Sequence, residues 1–233
     1  MQTAFERVFD ERLTGKPIAH ILGEREFWSL PIKVNASTLI PRPDTEVLVE
    51  QAIELLAGNA KPRILDLGTG TGAIALALAH EFPAARVTAL EANLDAVSLA
   101  KQNAANLKKD NVTVLHGSWY SDDAIASLAA LAPFDMLVSN PPYIDEADPH
   151  LDEGDVRFEP KSALVAPDNG LADIRAITQL AKQLLEKDGY LLVEHGWQQK
   201  EAVQLIFVQA GFKNVNTVND YGGNPRVTLG QNV

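Results

Sequence analysis

The sequence predicts an α/β fold: a mostly parallel sheet with helices on both faces, closed by an antiparallel hairpin. Three observations carry this. Short apolar runs bounded by turn signals recur between residues 63 and 194, helical patterns separate them, and the alternation gives way to a hairpin pattern only at the C-terminal end. Strand–helix alternation requires crossover connections, and crossovers join parallel strands.

The elements follow in order. About fifteen residues open the chain, enough for one helix at a rise of 1.5 Å per residue. Residues 19–34 read as short strands around Gly23, and residues 44–56 as a helix. The first buried strand is Arg63-Ile64-Leu65-Asp66, and a helical pattern follows from Ala73 to Glu81. Arg86-Val87-Thr88-Ala89-Leu90 is the next strand, followed by a helix from Asp95 to Asn106 with Asp95 as its N-cap. Val112-Thr113-Val114-Leu115 is a weaker strand, and Met136-Leu137-Val138-Ser139 a strong one. A helix from Ala172 to Glu186 leads into Tyr190-Leu191-Leu192-Val193-Glu194, and another runs from Gln198 to Ala210; Gly189 and Gly211 read as the glycines that close these two helices. Val215-Asn216-Thr217-Val218 and Arg226-Val227-Thr228-Leu229 flank the turn-rich segment 220–225 and read as the closing hairpin. By analogy, a parallel doubly wound sheet ending in such a hairpin is the Rossmann-like arrangement of class I S-adenosylmethionine-dependent methyltransferases, in which the sheet has seven strands.

Composition bounds the function. The chain has 233 residues and a mass of 25.3 kDa, enough for one well-buried α/β domain and a small appendage. No apolar stretch approaches the roughly 20 residues that span a bilayer, and Met1 to Arg7 has neither region of a signal peptide. The absence of cysteine excludes disulfides, thiolate metal sites and a cysteine nucleophile. The five histidines show no pair at metal-ligand spacing, so no metal is expected. These features point to a cytoplasmic protein without a membrane partner. A formal net charge of −11 argues against a broad phosphate-binding surface, and hence against a nucleic-acid partner. The acidic stretch 145–155 reads as a solvated loop.

Asp66-Leu67-Gly68-Thr69-Gly70-Thr71-Gly72-Ala73 ends the first strand and opens a helix. Glycines there let the chain turn tightly and let a ligand approach the backbone, and the N–H groups at the helix start favour a carboxylate. A tight strand-to-helix turn is the bland reading. Two features argue for a cofactor. The Gly68-x-Gly70-x-Gly72 spacing differs from the Gly-x-Gly-x-x-Gly of a dinucleotide fold, and Glu91 ends the next strand about 20 residues on, where a ribose diol needs a carboxylate acceptor. Trp119 follows the third strand and offers a face to an adenine ring; a half-buried loop aromatic is the alternative.

Asn140-Pro141-Pro142-Tyr143 states a chemistry. Proline fixes φ and has no N–H, so the corner presents carbonyl acceptors and few donors. With the Asn140 side-chain oxygen and the Tyr143 ring, it suits a planar group whose NH2 needs two acceptors, such as an amide or an amino-substituted base. Combined with Gly68 to Gly72 and Glu91, it points to S-adenosyl-L-methionine and methyl transfer to a planar nitrogen, leaving S-adenosyl-L-homocysteine. Asn140, Pro141 and Tyr143 are the candidate catalytic residues, and Asn140 also borders the cofactor. An N6-adenine methyltransferase remains a rival because the corner suits an exocyclic amine as well, although the acidic charge counts against a nucleic acid. A non-catalytic S-adenosylmethionine-binding module is a second rival. A nicotinamide dehydrogenase fails on the glycine spacing.

From about Lys16 onward, an ordered set of motifs resembles the PrmC/HemK family of protein-(glutamine-N5) methyltransferases, which act on class-1 peptide chain release factors. The set comprises Pro17 to Gly23, Glu26-Phe27-Trp28, Leu39 to Glu46, the glycine loop, Asn140 to Tyr143, Arg157-Phe158-Glu159-Pro160 and Ala163-Leu164. The resemblance implies that Gly68, Thr69, Gly70, Thr71, Gly72, Glu91 and Trp119 hold the cofactor. It implies that Asn140, Pro141, Pro142 and Tyr143 hold a glutamine from the Gly-Gly-Gln loop of a release factor. It implies that Pro41 to Glu46 lie near the pocket, with a purely structural ion pair between Arg42 and Glu46 as the alternative. Family members usually carry a longer helical N-terminal region that helps dock the release factor. Residues 1–35 are accordingly read as a helix and β-hairpin appendage, a shortened docking region, and 36–233 as the catalytic domain of a monomer. Ser118 stands where an acidic residue is common in the family, which weakens one expected adenine contact.

Overall fold

A computed structural model describes residues 3–233. The first helix, α1 (Ala4–Leu13), begins at a capping box in which the Thr3 hydroxyl accepts from the Glu6 N–H and the Glu6 carboxylate accepts from the Thr3 N–H. A second short helix, α2 (Ile18–Leu22), ends at Gly23, whose φ of 72° is the left-handed conformation of a helix stop. Residues 19–22 are therefore helical, against the strand expectation. Pro17 before the first turn and Gly23 after the last are helix punctuation at both ends. The hairpin follows as β1 (Glu24–Phe27) and β2 (Leu30–Lys33), a separate two-stranded sheet.

A 3-10 turn (Pro43–Thr45) leads into α3 (Glu46–Leu55). The main body then alternates: β3 (Arg63–Leu67), α4 (Ala73–Glu81), β4 (Arg86–Glu91), α5 (Leu94–Asn106), β5 (Val112–His116), α6 (Asp122–Leu131) and β6 (Phe134–Ser139). A long connection containing the one-turn segment α7 (Pro167–Gly170) reaches α8 (Ala172–Leu184), then β7 (Leu185–Glu194), α9 (Lys200–Gln209), β8 (Lys213–Asn219) and β9 (Pro225–Gln231). The seven strands lie in the order β5-β4-β3-β6-β7-β9-β8. The first five are parallel, and β9 runs antiparallel between β7 and β8. The predicted sheet, hairpin included, is the sheet observed.

Two apolar cores cover its faces. One packs α3, α4 and α5 with the hairpin residues Phe27, Leu30 and Ile32, and the other packs α6, α8 and α9. The small side chains of α4 are buried from Ala73 to Ala79, because this helix is enclosed on all sides.

Three local expectations change. The cap of α5 is Asn93, whose side chain accepts from the Asp95 and Ala96 N–H groups at 2.8 and 3.3 Å; Asp95 lies inside the first turn. Gly189 does not close a helix. Helix α8 ends at Leu184, and β7 runs through Gly189, where a Cβ would sit 3.0 Å from the Asp135 carbonyl oxygen. The glycine there answers a close approach of β7 to β6. Helix α6 has no counterpart in the sequence reading.

Candidate active site

The strand order reverses direction between β3 and β6, so the connections leaving these two neighbours diverge to opposite faces. In parallel sheets, the crevice at such a switch point is where ligands bind. Register sets its dimensions: Leu67 pairs with Ser139, and the Ser139 hydroxyl donates to the Leu67 carbonyl at 2.7 Å. Gly68 and Asn140 therefore leave the sheet side by side, although 71 residues separate them.

A cavity of about 480 Å³ opens at this point. Of the residues expected at a site, Gly68, Thr69, Gly70, Thr71, Glu91, Trp119, Asn140 and Pro142 line it. Gly72, Pro141 and Tyr143 do not. Gly72 instead precedes α4 at φ 86°, with Leu76 and Ala100 against it. Pro141 is buried, and the Tyr143 hydroxyl points inward to donate to Glu194 Oε1 at 3.2 Å.

The glycine loop is shaped by its neighbours. Gly68 and Thr69 both donate to the Leu90 carbonyl, and Gly70 donates to Glu91 Oε2 at 2.9 Å. The other Glu91 oxygen accepts from the Asn93 N–H at 2.9 Å, so the carboxylate is held at the cavity wall by two backbone donors. Asn103, fully buried, donates to the Thr71 carbonyl at 2.9 Å and exchanges hydrogen bonds with the Lys33 backbone, tying the loop to the hairpin. At Gly68, φ is 74° and a Cβ would meet the Trp119 ring at 3.3 Å. The Trp119 indole N–H donates to Asp173 Oδ1 at 3.1 Å, and the Tyr120 hydroxyl donates to the same oxygen at 2.7 Å. Two aromatic side chains are thus fixed on one wall by a single carboxylate from the first turn of α8.

Asp66 lies behind the loop with no exposure, accepts the Thr69 hydroxyl at 2.6 Å through Oδ2, and leaves Oδ1 without a hydrogen bond. Burial pushes its carboxyl up to about 7, with Thr69 the main opposing influence. The Thr38 hydroxyl, also on the cavity wall, is buried without a partner. An orphan hydroxyl, left-handed glycines that admit a ligand to the backbone and the N-terminus of a buried helix suit a cofactor with both polar and charged groups.

The corner is held from beneath. Asn140 Nδ2 donates to the Thr45 hydroxyl at 3.3 Å. The Tyr143 carbonyl accepts from Gln199 Nε2 at 2.9 Å, and that amide also donates to the Asn169 carbonyl at 3.0 Å. Beyond the corner, Ile144 bridges Val165 in parallel. Glu194 ends β7 one strand away and is 2% exposed. Burial raises its carboxyl to about 7, against the favourable influence of Thr45, Arg226 and Tyr143. Pro41, Arg42 and Thr45 line the cavity, and the alternative of an Arg42–Glu46 ion pair is not what forms. Arg42 binds Glu159 at 2.7 Å, Glu159 also accepts from the Ile40 N–H at 3.0 Å, and Glu46 accepts from the Trp28 N–H. Residues 157–160 thereby hold the segment 40–42 against the cavity.

The sequence reading passed over Thr38, Asp173 and Glu194. Glu194 had a usable signal, because polar residues at the carboxyl ends of parallel strands face the crevice. Asp173 had none, since its role depends on where α8 begins. Among the described residues, no group of His, Asp or Glu is placed to hold a metal ion, and no helix is long and apolar enough to cross a membrane.

A family model for a methyltransferase domain matches residues 59–224. The chain is 56% identical over 224 residues to the release factor glutamine methyltransferase of Salmonella typhimurium, covering 96% of this chain and 78% of that protein. It is 55% identical over 226 residues to that of Escherichia coli, covering 97% and 79%. Among solved structures, the hMettl16 catalytic domain in complex with the MAT2A 3′UTR hairpin 1 superposes with a TM-score of 0.70 at 17% identity, covering 92% of this chain and 79% of that one. A methyltransferase from Pyrococcus furiosus gives 0.61 at 16%, covering 98% and 99%. At these identities the structural matches speak for the fold alone.

Proposed function

The chain belongs to the family of release factor glutamine methyltransferases and is an enzyme that methylates a release factor glutamine; we propose that it transfers the methyl group of S-adenosyl-L-methionine to the side-chain nitrogen (N5) of the glutamine in the Gly-Gly-Gln motif of class-1 release factors. The observation that carries the reading is the shared cavity at the switch point, with the glycine loop and Asn140 on adjoining strand ends.

In this reading Gly68 to Gly72 and the N-terminus of α4 receive the carboxylate of the cofactor, Glu91 receives its ribose hydroxyls, and Trp119 packs on its adenine. When bound, the cofactor supplies an electrophilic methyl group. The protein's part is positioning. An amide nitrogen is a weak nucleophile because its lone pair is delocalised into the carbonyl. Asn140 Oδ1, on the cavity wall, accepts one of its N–H bonds, orients the nitrogen and stabilises the positive charge that develops on it; the Pro141 carbonyl, which does not line the cavity here, takes the second only once the glutamine has entered the corner. Neither Pro141 nor Pro142 has an N–H to compete for those acceptors. Holding two reactants in line supplies roughly 7–11 kcal/mol of a barrier. The residues 1–35, with the hairpin and α1, form the docking appendage. The enzyme is read as a monomer, and a release factor substrate is met in the cytoplasm. The acidic chain supports a protein substrate over a nucleic acid.

Methyl-labelled cofactor, offered with a release factor, its Gln-to-Ala loop variant or DNA, tests the proposal. Label is expected on the intact release factor alone; label on DNA, or on the loop variant equally, overturns it. Asn140→Ala leaves the acceptor amide with an unpaired donor at a cost of about 1–3 kcal/mol. Turnover should fall by on the order of 10- to 100-fold, with cofactor affinity by calorimetry kept within about threefold.

A further inference from the structure

Trp119 and Tyr120 are held by one oxygen of one carboxylate. The indole N–H of Trp119 donates to Asp173 Oδ1 at 3.1 Å, and the Tyr120 hydroxyl donates to that same oxygen at 2.7 Å. The other oxygen, Oδ2, accepts from none of the described residues. Asp173 lines the cavity and is 8% exposed, and its Oδ2 is not sealed as the unpartnered oxygens of Asp66 and Glu194 are. Anchoring two aromatic side chains accounts for Oδ1 and leaves Oδ2 without a role. A nearly buried carboxylate oxygen that opens on a cavity and lacks a donor suits the N–H or O–H of a ligand. Asp173 also lies in the first turn of α8, where the helix favours its negative charge.

The neighbours indicate which ligand group meets it. Glu91 and Asp173 are the two carboxylates on the cavity wall. Glu91 holds Gly70 and Asn93, whereas Asp173 holds the edge of the Trp119 indole. A base packed on the Trp119 face brings its own edge toward the group that holds the indole edge. On adenine the ring nitrogens accept and the exocyclic amine donates, so a carboxylate there selects the amine. Ser118 offers no charged acceptor, and its hydroxyl is already turned to the Tyr120 N–H at 3.2 Å.

We propose that Asp173 is a cofactor-specificity residue: Oδ1 fixes the aromatic wall, and Oδ2 accepts a hydrogen bond from the exocyclic amine of the adenine packed on Trp119. This rests on the reading that S-adenosyl-L-methionine fills the cavity. The bond is charge-assisted and sheltered, so it separates a purine that carries an amine at this position from one that carries an oxygen, which would set oxygen against carboxylate.

Calorimetry with S-adenosyl-L-homocysteine and its deaminated counterpart, S-inosyl-L-homocysteine, tests this without a methyl acceptor. The parent should bind the amine-bearing ligand about 10- to 100-fold more tightly. In Asp173→Asn the carboxamide oxygen still accepts from Trp119 and Tyr120, while its NH2 faces the ligand and suits the oxygen of the deaminated base. The preference should collapse there to within about threefold. Asp173→Ser, which has a hydroxyl but no carboxylate, should lose the preference as well. A role confined to holding the aromatic wall would weaken both ligands alike, so a preference that survives both substitutions overturns the proposal. A parent that does not distinguish the two ligands also overturns it. A parent that distinguishes them but transfers no methyl group to a release factor counts against the proposed substrate and supports this proposal; one that binds neither overturns both.

Discussion

Asp66 shows what a buried charge does to the stability of this protein. Its folded carboxyl titrates at about 7 against an ordinary 3.8. Between those values the folded state keeps a proton that the unfolded state has lost, so stability falls as pH rises through this window. Above it, the protein carries the buried charge. Asp66→Asn removes the effect, and its gain in melting temperature over the parent should be larger at pH 8 than at pH 5. The difference is on the order of 2–3 kcal/mol, because about two pH units of the window lie above pH 5 and each is worth 1.36 kcal/mol. An equal gain at both values would show that Asp66 is not protonated in the folded protein. Residues of the site were legible where chain chemistry is local. Gly68, Gly70, Glu91, Trp119 and Asn140 were each singled out by what they follow, a strand end, and all border the cavity. Thr38 and Asp173 were not, because an unpartnered hydroxyl and a carboxylate shared by two aromatic side chains exist only once distant segments meet. Tyr143 was read as a face for the substrate, yet its hydroxyl turns away from the cavity to Glu194.

At the scale of elements, α7 is the support of the corner. Gly170 has φ 80°, and a Cβ there would strike the Tyr143 carbonyl oxygen and approach Gln199 Nε2, the amide that ties Tyr143 to Asn169. Gly170→Ala should therefore displace Asn140 to Tyr143 while leaving the glycine loop, Glu91 and Trp119 on the opposite side of the cavity in place. Turnover is expected to fall about tenfold or more while cofactor affinity is preserved, and a variant with parental kcat would remove α7 from this role. The strands of the main sheet were legible because their apolar runs are buried on both faces. Helix α6 was not: it begins with two aspartates and buries only Ala124 and Leu128, so its apolar stripe is thin. The short α2 was masked by Gly23, a residue that serves equally as a strand turn and a helix stop.

For the whole molecule, stability is distributed unevenly. The central strands β3 and β6 are paired on both sides and covered by both cores. Helix α1 leaves Phe5, Phe9 and Leu13 exposed and meets the body through an Arg12–Asp155 ion pair at 3.2 Å that is open to solvent, a contact worth little. Amide hydrogen exchange should thus be fastest in α1 and slowest in β3 and β6, the latter opening only with global unfolding. Equal protection of α1 and β3 would contradict this. The place of β9 carries one more consequence. Though last in the chain, it lies inside the sheet between β7 and β8, and it brings Arg226 to the carboxylate beneath the corner. During synthesis the wall formed by residues 68–119 has its strands β3, β4 and β5 early. The corner after β6 gains the support of Arg226 only when β9 has inserted between β7 and β8, so the acceptor side is completed by a long-range pairing that the glycine-loop side does not need.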